Sequence, residues 1–294
     1  MVKINQKNRW QNSPVTRKLL NSPLYRPYMW TKYAIDNLTL PLLSSLKSHR
    51  ERKFHCYVVG TMKSGTTSLG RILKPYYNTA HEALPRQSCL TTALFLQGKI
   101  NQEELAQYIQ RRDKFLNLEL ESSWFLVDWI DILVAKFPDA KFILPIRDPY
   151  SWVQSMVNQE AATKADVQES YWEILFNEYF KDNDAEEEDR KLLEQGLHSV
   201  SAYLKHWNYH HRKVIETVPQ ERLLILKTSE LNSKIEEIAS FIGIDYSKFE
   251  TRKMHQNRTS SRLVDLDNIQ KEHINKCVNR HCLELTKLYF PEFI

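Results

Sequence analysis

The 294-residue chain has six glycines and four cysteines. So little glycine argues against a loop-dominated or fibrous fold. Cys56, Cys89, Cys277 and Cys282 form no C-x-x-C pair and are too sparse for a disulfide scaffold. Long apolar runs are also missing. The most apolar piece near the N-terminus, residues 33–46, contains Asp36 and Pro41 and is too short to cross a bilayer. The first residues lack the apolar segment of a secretory signal. A reduced, cytoplasmic setting is the expectation, and 33 aromatic residues are ample for a buried core.

Charge is unevenly spread. Residues 1–53 carry eleven Lys or Arg against Asp36 and Glu51, so a net charge of +5 leaves the remainder slightly acidic. A basic arm can serve nucleic acid or an anionic membrane. Here its cations are scattered among Trp10, Leu19, Leu20, Tyr25, Tyr28 and Trp30, which points to packing on the rest of the chain. The expected organisation is a basic N-terminal extension over 1–53, with Pro14, Pro23, Pro27 and Pro41 interrupting any long helix, followed by one domain over 54–294.

Residues 55–70, H-C-Y-V-V-G-T-M-K-S-G-T-T-S-L-G, organise the chain. Tyr57, Val58 and Val59 read as a buried parallel strand that stops at Gly60. Thr66, Thr67 and Ser68 open a helix carrying Leu69, Ile72 and Leu73 at helical spacing. Helix N-termini present unpaired N–H groups and partial positive charge, so a loop of small residues before one suits an anion. Lys63 adds a full charge; Ser64, Thr66, Thr67 and Ser68 add hydroxyls around Gly65. The expected ligand is phosphate-like. The nucleotidase loop G-x-x-x-x-G-K-[ST] places its lysine after the last glycine, whereas Lys63 precedes Gly65.

The remaining chain alternates strand and helix. A short second strand is expected over 78–82, loop and short helix over 83–99, and a helix from the Asn101 cap to about Arg112. F-L-N-L-E-L, 115–120, alternates like a strand, and Ser122 or Ser123 is placed to cap the next helix, with Phe125, Trp129, Leu133 and Phe137 on one face. Residues 140–147 are the next strand, with a helix starting near Pro149. Helix over 166–181, an exposed acidic connection over 182–190 and one long helix over 192–217 follow. Strand 222–227, a helix capped by Ser229 and ending near Gly243, a polar loop over 255–262 and a closing helix over 267–289 complete the pattern. Such alternation implies an α/β fold of three layers, a central parallel sheet flanked by helices.

The second diagnostic stretch is Ile146-Arg147-Asp148-Pro149, with Ser155 eight residues after Arg147. An arginine leaving a buried strand at its carboxyl end stands where open α/β sheets bind ligands, and its planar fork suits phosphate. Together, K-S-G-T-T after a strand and R-D-P-x-x-x-x-x-S after a later one resemble the 5′-phosphosulfate and 3′-phosphate motifs of sulfotransferases that use 3′-phosphoadenosine 5′-phosphosulfate (PAPS). R-L-L-I-L-K-T-S-E-L, 222–231, is a weaker likeness to the family's late strand. The resemblance covers roughly 55–245 and implies a P-loop-like fold, PAPS as co-substrate and no metal. It also implies 3′,5′-adenosine bisphosphate as product and a small-molecule or carbohydrate acceptor, with neither nucleic acid nor a membrane span as partner; a homodimer stays open. Family members of the Golgi carry an N-terminal membrane anchor, and none is visible here.

The resemblance assigns donor binding to Lys63, Ser64, Gly65, Thr66, Thr67, Ser68, Arg147 and Ser155, and catalysis to Lys63 with a base. Glu82 resembles the glutamate placed there in tyrosylprotein and carbohydrate sulfotransferases. Its neighbour His81 has a suitable ordinary pKa, and Glu121 stands where cytosolic members place a histidine; the order of preference is Glu82, His81, Glu121. The family's R-K-G-x-x-G-D-W segment is missing. Asn257, Arg258 and Thr259 occupy the comparable place, with Arg258 the candidate to complete the 3′-phosphate pocket. The P-loop tryptophan is also missing, with Leu69 near its place, so adenine stacking is unassigned.

Two other readings compete. A P-loop kinase or nucleotidase is opposed by the shifted lysine and by the lack of a clear magnesium aspartate. A non-enzymatic anion-binding protein would act through the basic arm. His273, Cys277 and His281 recur every four residues and read as packing ahead of zinc ligation. His206, Trp207, Tyr209, His210 and His211 read as a buried helix face ahead of an acceptor pocket.

Overall fold

β-branched and aromatic residues concentrate in short runs that become the strands of one sheet. The computed structural model describes residues 25–46, 51–165, 170–181, 184–248, 264 and 271–294. The strands are β1 (Cys56–Val58), β2 (Thr79–His81), β3 (Leu120–Ser122), β4 (Lys141–Ile146) and β5 (Leu223–Lys227). All pair in parallel in the order β2-β3-β1-β4-β5, with Tyr57 opposite Glu121 and Phe142. From β1 the chain crosses to the edge strand β2, returns with β3 between β2 and β1, and then crosses to the other side for β4 and β5. The crevice between the carboxyl ends of β1 and β4 is therefore the topological switch point, where such sheets bind ligands.

Helices cover both faces. The main ones are α1 (Tyr25–Leu46), α2 (Thr66–Leu73), α3 (Pro85–Leu96), α4 (Gln102–Leu116), α5 (Ile130–Lys136), α6 (Pro149–Ala165) and α7 (Ser170–Tyr179). They continue with α8 (Arg190–Glu194), α9 (Val200–Thr217), α10 (Ile235–Ile242), α11 (Lys271–His281) and α12 (Leu283–Tyr289). α2 and α10 bury Leu69, Ile72, Leu73, Ile238 and Ile242 against Val58 and Leu226. The larger core on the other face packs Tyr57, Phe142 and Leu144 against Trp129, Trp152 and Trp207. Among the described residues no helix is long and apolar enough to cross a membrane.

Several elements differ from expectation, and packing explains the differences. α1 runs 22 residues through Pro27 and Pro41. Pro27 sits in the first turn, where its missing N–H costs little. The helix lies against α3 and α4, with the Tyr33 hydroxyl 3.0 Å from Thr91 Oγ1 and Asp36 bound to Gln87. Residues 83–99, expected as loop and short helix, contain the 12-residue α3. α4 has the expected Asn101 cap, as a full capping box with Glu104, but extends to Leu116 and ends on Asn117 at φ 47°. The alternating run 115–120 is thus the last helical turn and its exit, and β3 begins only at Leu120. Asn78 draws this exit to β2 by donating to the carbonyls of Leu116 and Asn117 at 3.0 and 2.8 Å.

Ser123 precedes a 3₁₀ turn, Trp124–Trp129, without capping it through its side chain. Helix 192–217 is broken: Gly196 turns at φ 71°, and Ser199 recaps α9 by accepting from Ala202 N at 3.1 Å. The acidic connection is not wholly solvated, because buried Asp189 accepts from Val200 N (3.0 Å) and faces His273 Nε2 (3.1 Å). After β5 comes a 3₁₀ turn, Thr228–Glu230, and α10 is preceded by Lys234 rather than Ser229, closing on Gly243 at φ 76° as expected. The closing helix divides at Cys282 into α11 and α12.

Buried histidines give the fold an acid limit. Burial pushes His55 down to about 3, His81 to about 4, His210 to about 4 and His211 to about 3, and holds His206 well below its ordinary range. The unfolded chain, with pKa 6.5, then binds more protons than the native state between pH 6.5 and 4, so stability falls as pH falls through that window. Asp128, pushed up to about 7 by burial, and Asp113, also raised by burial, act in the opposite sense, and the histidines outnumber them. His210 alone is expected to remove about 3 kcal/mol by pH 4. Thermal unfolding from pH 7.5 to 4 should show a steep fall in Tm below 6.5; a flat profile would contradict it.

Candidate active site

The loop joining β1 to α2 is shaped by sterics. A Cβ at Gly60 would lie 2.4 Å from Ser64 Oγ and 2.6 Å from Pro145, and Gly65 turns at φ 92°. Lys63 also takes a left-handed conformation, φ 63°, a strained backbone of the kind that clusters at functional sites. α2 then starts at Thr66 with no side-chain cap on its first N–H groups, leaving donors for an anion.

The hydroxyls divide between loop and ligand side. Ser64 is buried and donates to the Thr61 carbonyl at 2.7 Å, closing the loop on itself. Ser122 Oγ donates to Thr66 O at 2.7 Å and ties the loop to β3. Thr67 Oγ1 lies 2.9 Å from His81 Nε2, while His81 Nδ1 is 3.0 Å from the Ser122 carbonyl. A carbonyl only accepts, so Nδ1 carries the proton and Nε2 accepts from Thr67. Ser68 is half-buried in the first turn of α2.

Arg147 reaches the loop from the end of β4. Its Nη1 donates to Lys63 O at 3.2 Å and its Nε to Ser151 Oγ at 2.9 Å. Asp148 holds Ser151 through the Ser151 backbone N–H at 2.8 Å. Lys63 Nζ donates to Gln159 Oε1 at 3.4 Å. Arg147, Ser151, Ser155 and Gln159 thus recur every four residues, a spacing that places α6 positions on one face. Sequence reasoning singled out Arg147 and Ser155 and did not name Ser151 or Gln159, which the structure brings to Arg147 and Lys63, although that spacing was available as a signal. Thr228 was missed as well: its hydroxyl reaches Ser64 O at 2.9 Å and Ile146 O at 3.2 Å, stitching both loops to the segment after β5.

Both cations are partly desolvated. Burial, and then the Arg147 charge, lowers the pKa of Lys63; burial lowers that of Arg147, against the pull of Asp148. Two cations depressed by burial, one by the other, gain from an anion that compensates them. The loop, the uncapped α2 and this pair fit an anionic ligand such as a phosphate group.

The three base candidates separate. Glu82, just past β2 at φ 52°, lies with its Oε1 3.5 Å from His81 Nε2. His81 has its lone pair turned to Thr67. Glu121 points to the opposite face from Ser122, where it forms a buried bidentate pair with Arg112 at 2.6 and 2.5 Å. Glu121, the central residue of β3, is therefore committed to Arg112. Asn257, Arg258 and Thr259 lie outside the described residues. Elsewhere, His273 faces Asp189, His281 Nε2 lies 2.7 Å from Ser201 Oγ, and Cys277 is buried, so this stripe joins α11 to its neighbours.

A sulfotransferase-domain family model matches residues 56–259. The chain belongs to the sulfotransferase family, and its class is therefore that of a transferase enzyme. Among solved structures it is similar to a sulfotransferase from Alicyclobacillus acidocaldarius, at 16% identity and TM-score 0.46, covering 78% of this chain and 94% of that one. Sulfotransferase STF9 from Mycobacterium avium matches at 14% identity and TM-score 0.49, over 99% and 93% of the two chains. The sulfotransferase domain of the Synechococcus PCC 7002 olefin synthase matches at 14% and TM-score 0.37, over 76% and 85%. No curated protein sequence matches significantly.

Proposed function

We propose that the protein transfers a sulfuryl group from PAPS to a hydroxyl or amine of a small-molecule or carbohydrate acceptor, releasing 3′,5′-adenosine bisphosphate. The observation that carries this reading is the joining of Lys63, at the mouth of an uncapped helix, to Arg147 across the switch point. A donor with phosphate at both its 5′ and 3′ positions needs two anion sites at a set separation, and these two elements supply them. PAPS, when bound, supplies the sulfuryl group. Lys63 and the first N–H groups of α2 hold the 5′-phosphosulfate. Arg147 and Ser155 hold the 3′-phosphate, which Arg258, with Asn257 and Thr259, completes.

The acceptor oxygen or nitrogen forms a bond to sulfur while the bond from sulfur to the 5′-phosphate oxygen breaks. Negative charge grows on that departing oxygen, and Lys63 neutralises it from a preorganised position. The acceptor proton passes to Glu82. His81 is the weaker candidate, since its Nε2 lone pair already accepts from Thr67 and its Nδ1–H is given to Ser122 O; its place is to orient Thr67. Glu82→Gln is expected to lower kcat roughly 10²–10⁴-fold with the KM for PAPS unchanged. Near-wild-type turnover in the folded variant would move the role of base to another group.

Calorimetric titration tests the donor class. Magnesium-independent binding of adenosine 3′,5′-bisphosphate, tighter than ADP with magnesium, is expected. Preference for ADP with magnesium, or binding of neither, would overturn the proposal.

A further inference from the structure

Where β1 and β4 end, their next carbonyls lose their ladder partners. Val59 and Arg147 are those residues, and one helix supplies both replacements. His210 Nε2 lies 2.8 Å from Val59 O, and Trp207 Nε1 donates to Arg147 O at 3.1 Å. The two side chains stand three positions apart on α9, a spacing that puts them side by side. Both are fully buried. Burial holds His210 neutral, with its pKa down at about 4. Since a carbonyl only accepts, its proton is on Nε2. On α6, Trp152 adds a third contact, donating to Met62 O at 2.8 Å.

We infer that Trp207 and His210 are positioning residues that set the separation of the two anion-binding arms. The inference rests on the donor reading above. Val59 leads into the loop that carries Lys63, and Arg147 carries the second arm. An 18-residue helix bonded to both carbonyls adds a fixed span between the arms to the direct Arg147–Lys63 contact and the Thr228 bonds. The two donors are not equivalent. Trp207 acts directly on the Arg147 arm and reaches the Lys63 loop only through Arg147, so its loss should be felt more by a ligand with a 3′-phosphate than by one without. His210 acts on the β1 loop, which any 5′-phosphorylated adenosine uses.

The test measures affinities for adenosine 3′,5′-bisphosphate and 5′-AMP by calorimetry, at a temperature well below each variant's Tm. Trp207→Phe should weaken the bisphosphate about tenfold and 5′-AMP clearly less, so that the ratio of the two affinities falls. His210→Leu should weaken both nucleotides, and His210→Gln, whose amide N–H can replace the Nε2 donor, should recover most of the loss. A merely structural role would lower Tm in Trp207→Phe without changing the ratio of the two affinities. An unchanged ratio, or a parallel loss of both ligands, overturns the inference alone. Failure of the wild type to bind the bisphosphate overturns the donor reading, and the inference falls with it.

Discussion

Glu121→Ala is expected to destabilise the protein by about 3–5 kcal/mol, enough to remove much of the stability of an ordinary domain. Arg112 donates to both Glu121 oxygens, and both side chains are 4% exposed. It also donates to Ala83 O at 2.5 Å and to Ser88 Oγ at 3.1 Å, and its guanidinium lies 5.2 Å from the Trp129 ring centre. The alanine variant would leave a full positive charge in the core with its counter-ion removed. Glu121→Gln keeps one acceptor and should cost less. The double change Arg112→Leu/Glu121→Met removes both charges and should recover part of the loss, although the partners at Ala83 and Ser88 lose a donor. Urea unfolding at constant m-value measures all three. The same proteins, assayed where each is folded, should turn over at near-wild-type rates. A large fall in kcat without a fall in stability would return Glu121 to the list of bases.

Lys63→Ala carries the largest expected effect on rate. Removing one preorganised donor from developing charge typically costs roughly 10²–10³ in kcat, and Lys63 is the charged group of its loop. Arg147→Ala should divide differently. In the proposed arrangement its contact is to the end of the donor that does not react, so the loss should fall mainly on the KM for PAPS, by roughly 10–100-fold for a charge-assisted contact. Some fall in kcat should accompany it, because Arg147 also braces the loop through Lys63 O. Steady-state kinetics with the Kd of the bisphosphate separates the two. Equal effects on kcat and KM in both variants would argue that the arms do not divide the donor as proposed.

The parts of this protein that could be read from the sequence are those whose causes are local. A β-branched run ending at Gly60, small residues, then apolar residues at helical spacing define a strand, a turn and a helix within sixteen positions, and the expectation of an anion site follows from that order alone. Arg147 was legible because it ends a run of buried strand residues. Asn101 was legible because its cap partner, Glu104, is three residues away.

Tertiary structure decided what depends on distant residues meeting. The run 115–120 alternates like a strand, yet packing and the Asn78 contacts keep its first part helical. Pro41 stands inside α1, on a helix held by its contacts with α3 and α4. Glu121, ranked third among the candidate bases, stayed a candidate until the sheet register turned it to the face where Arg112 waits. His210 reads as one more buried histidine until Val59, 151 residues earlier, is placed beneath it. Periodicity and capping are properties of neighbours along the chain, so sequence determines them. Which carboxylate is ion-paired and which carbonyl is capped across the core depend on long-range packing, and only the folded chain decides those.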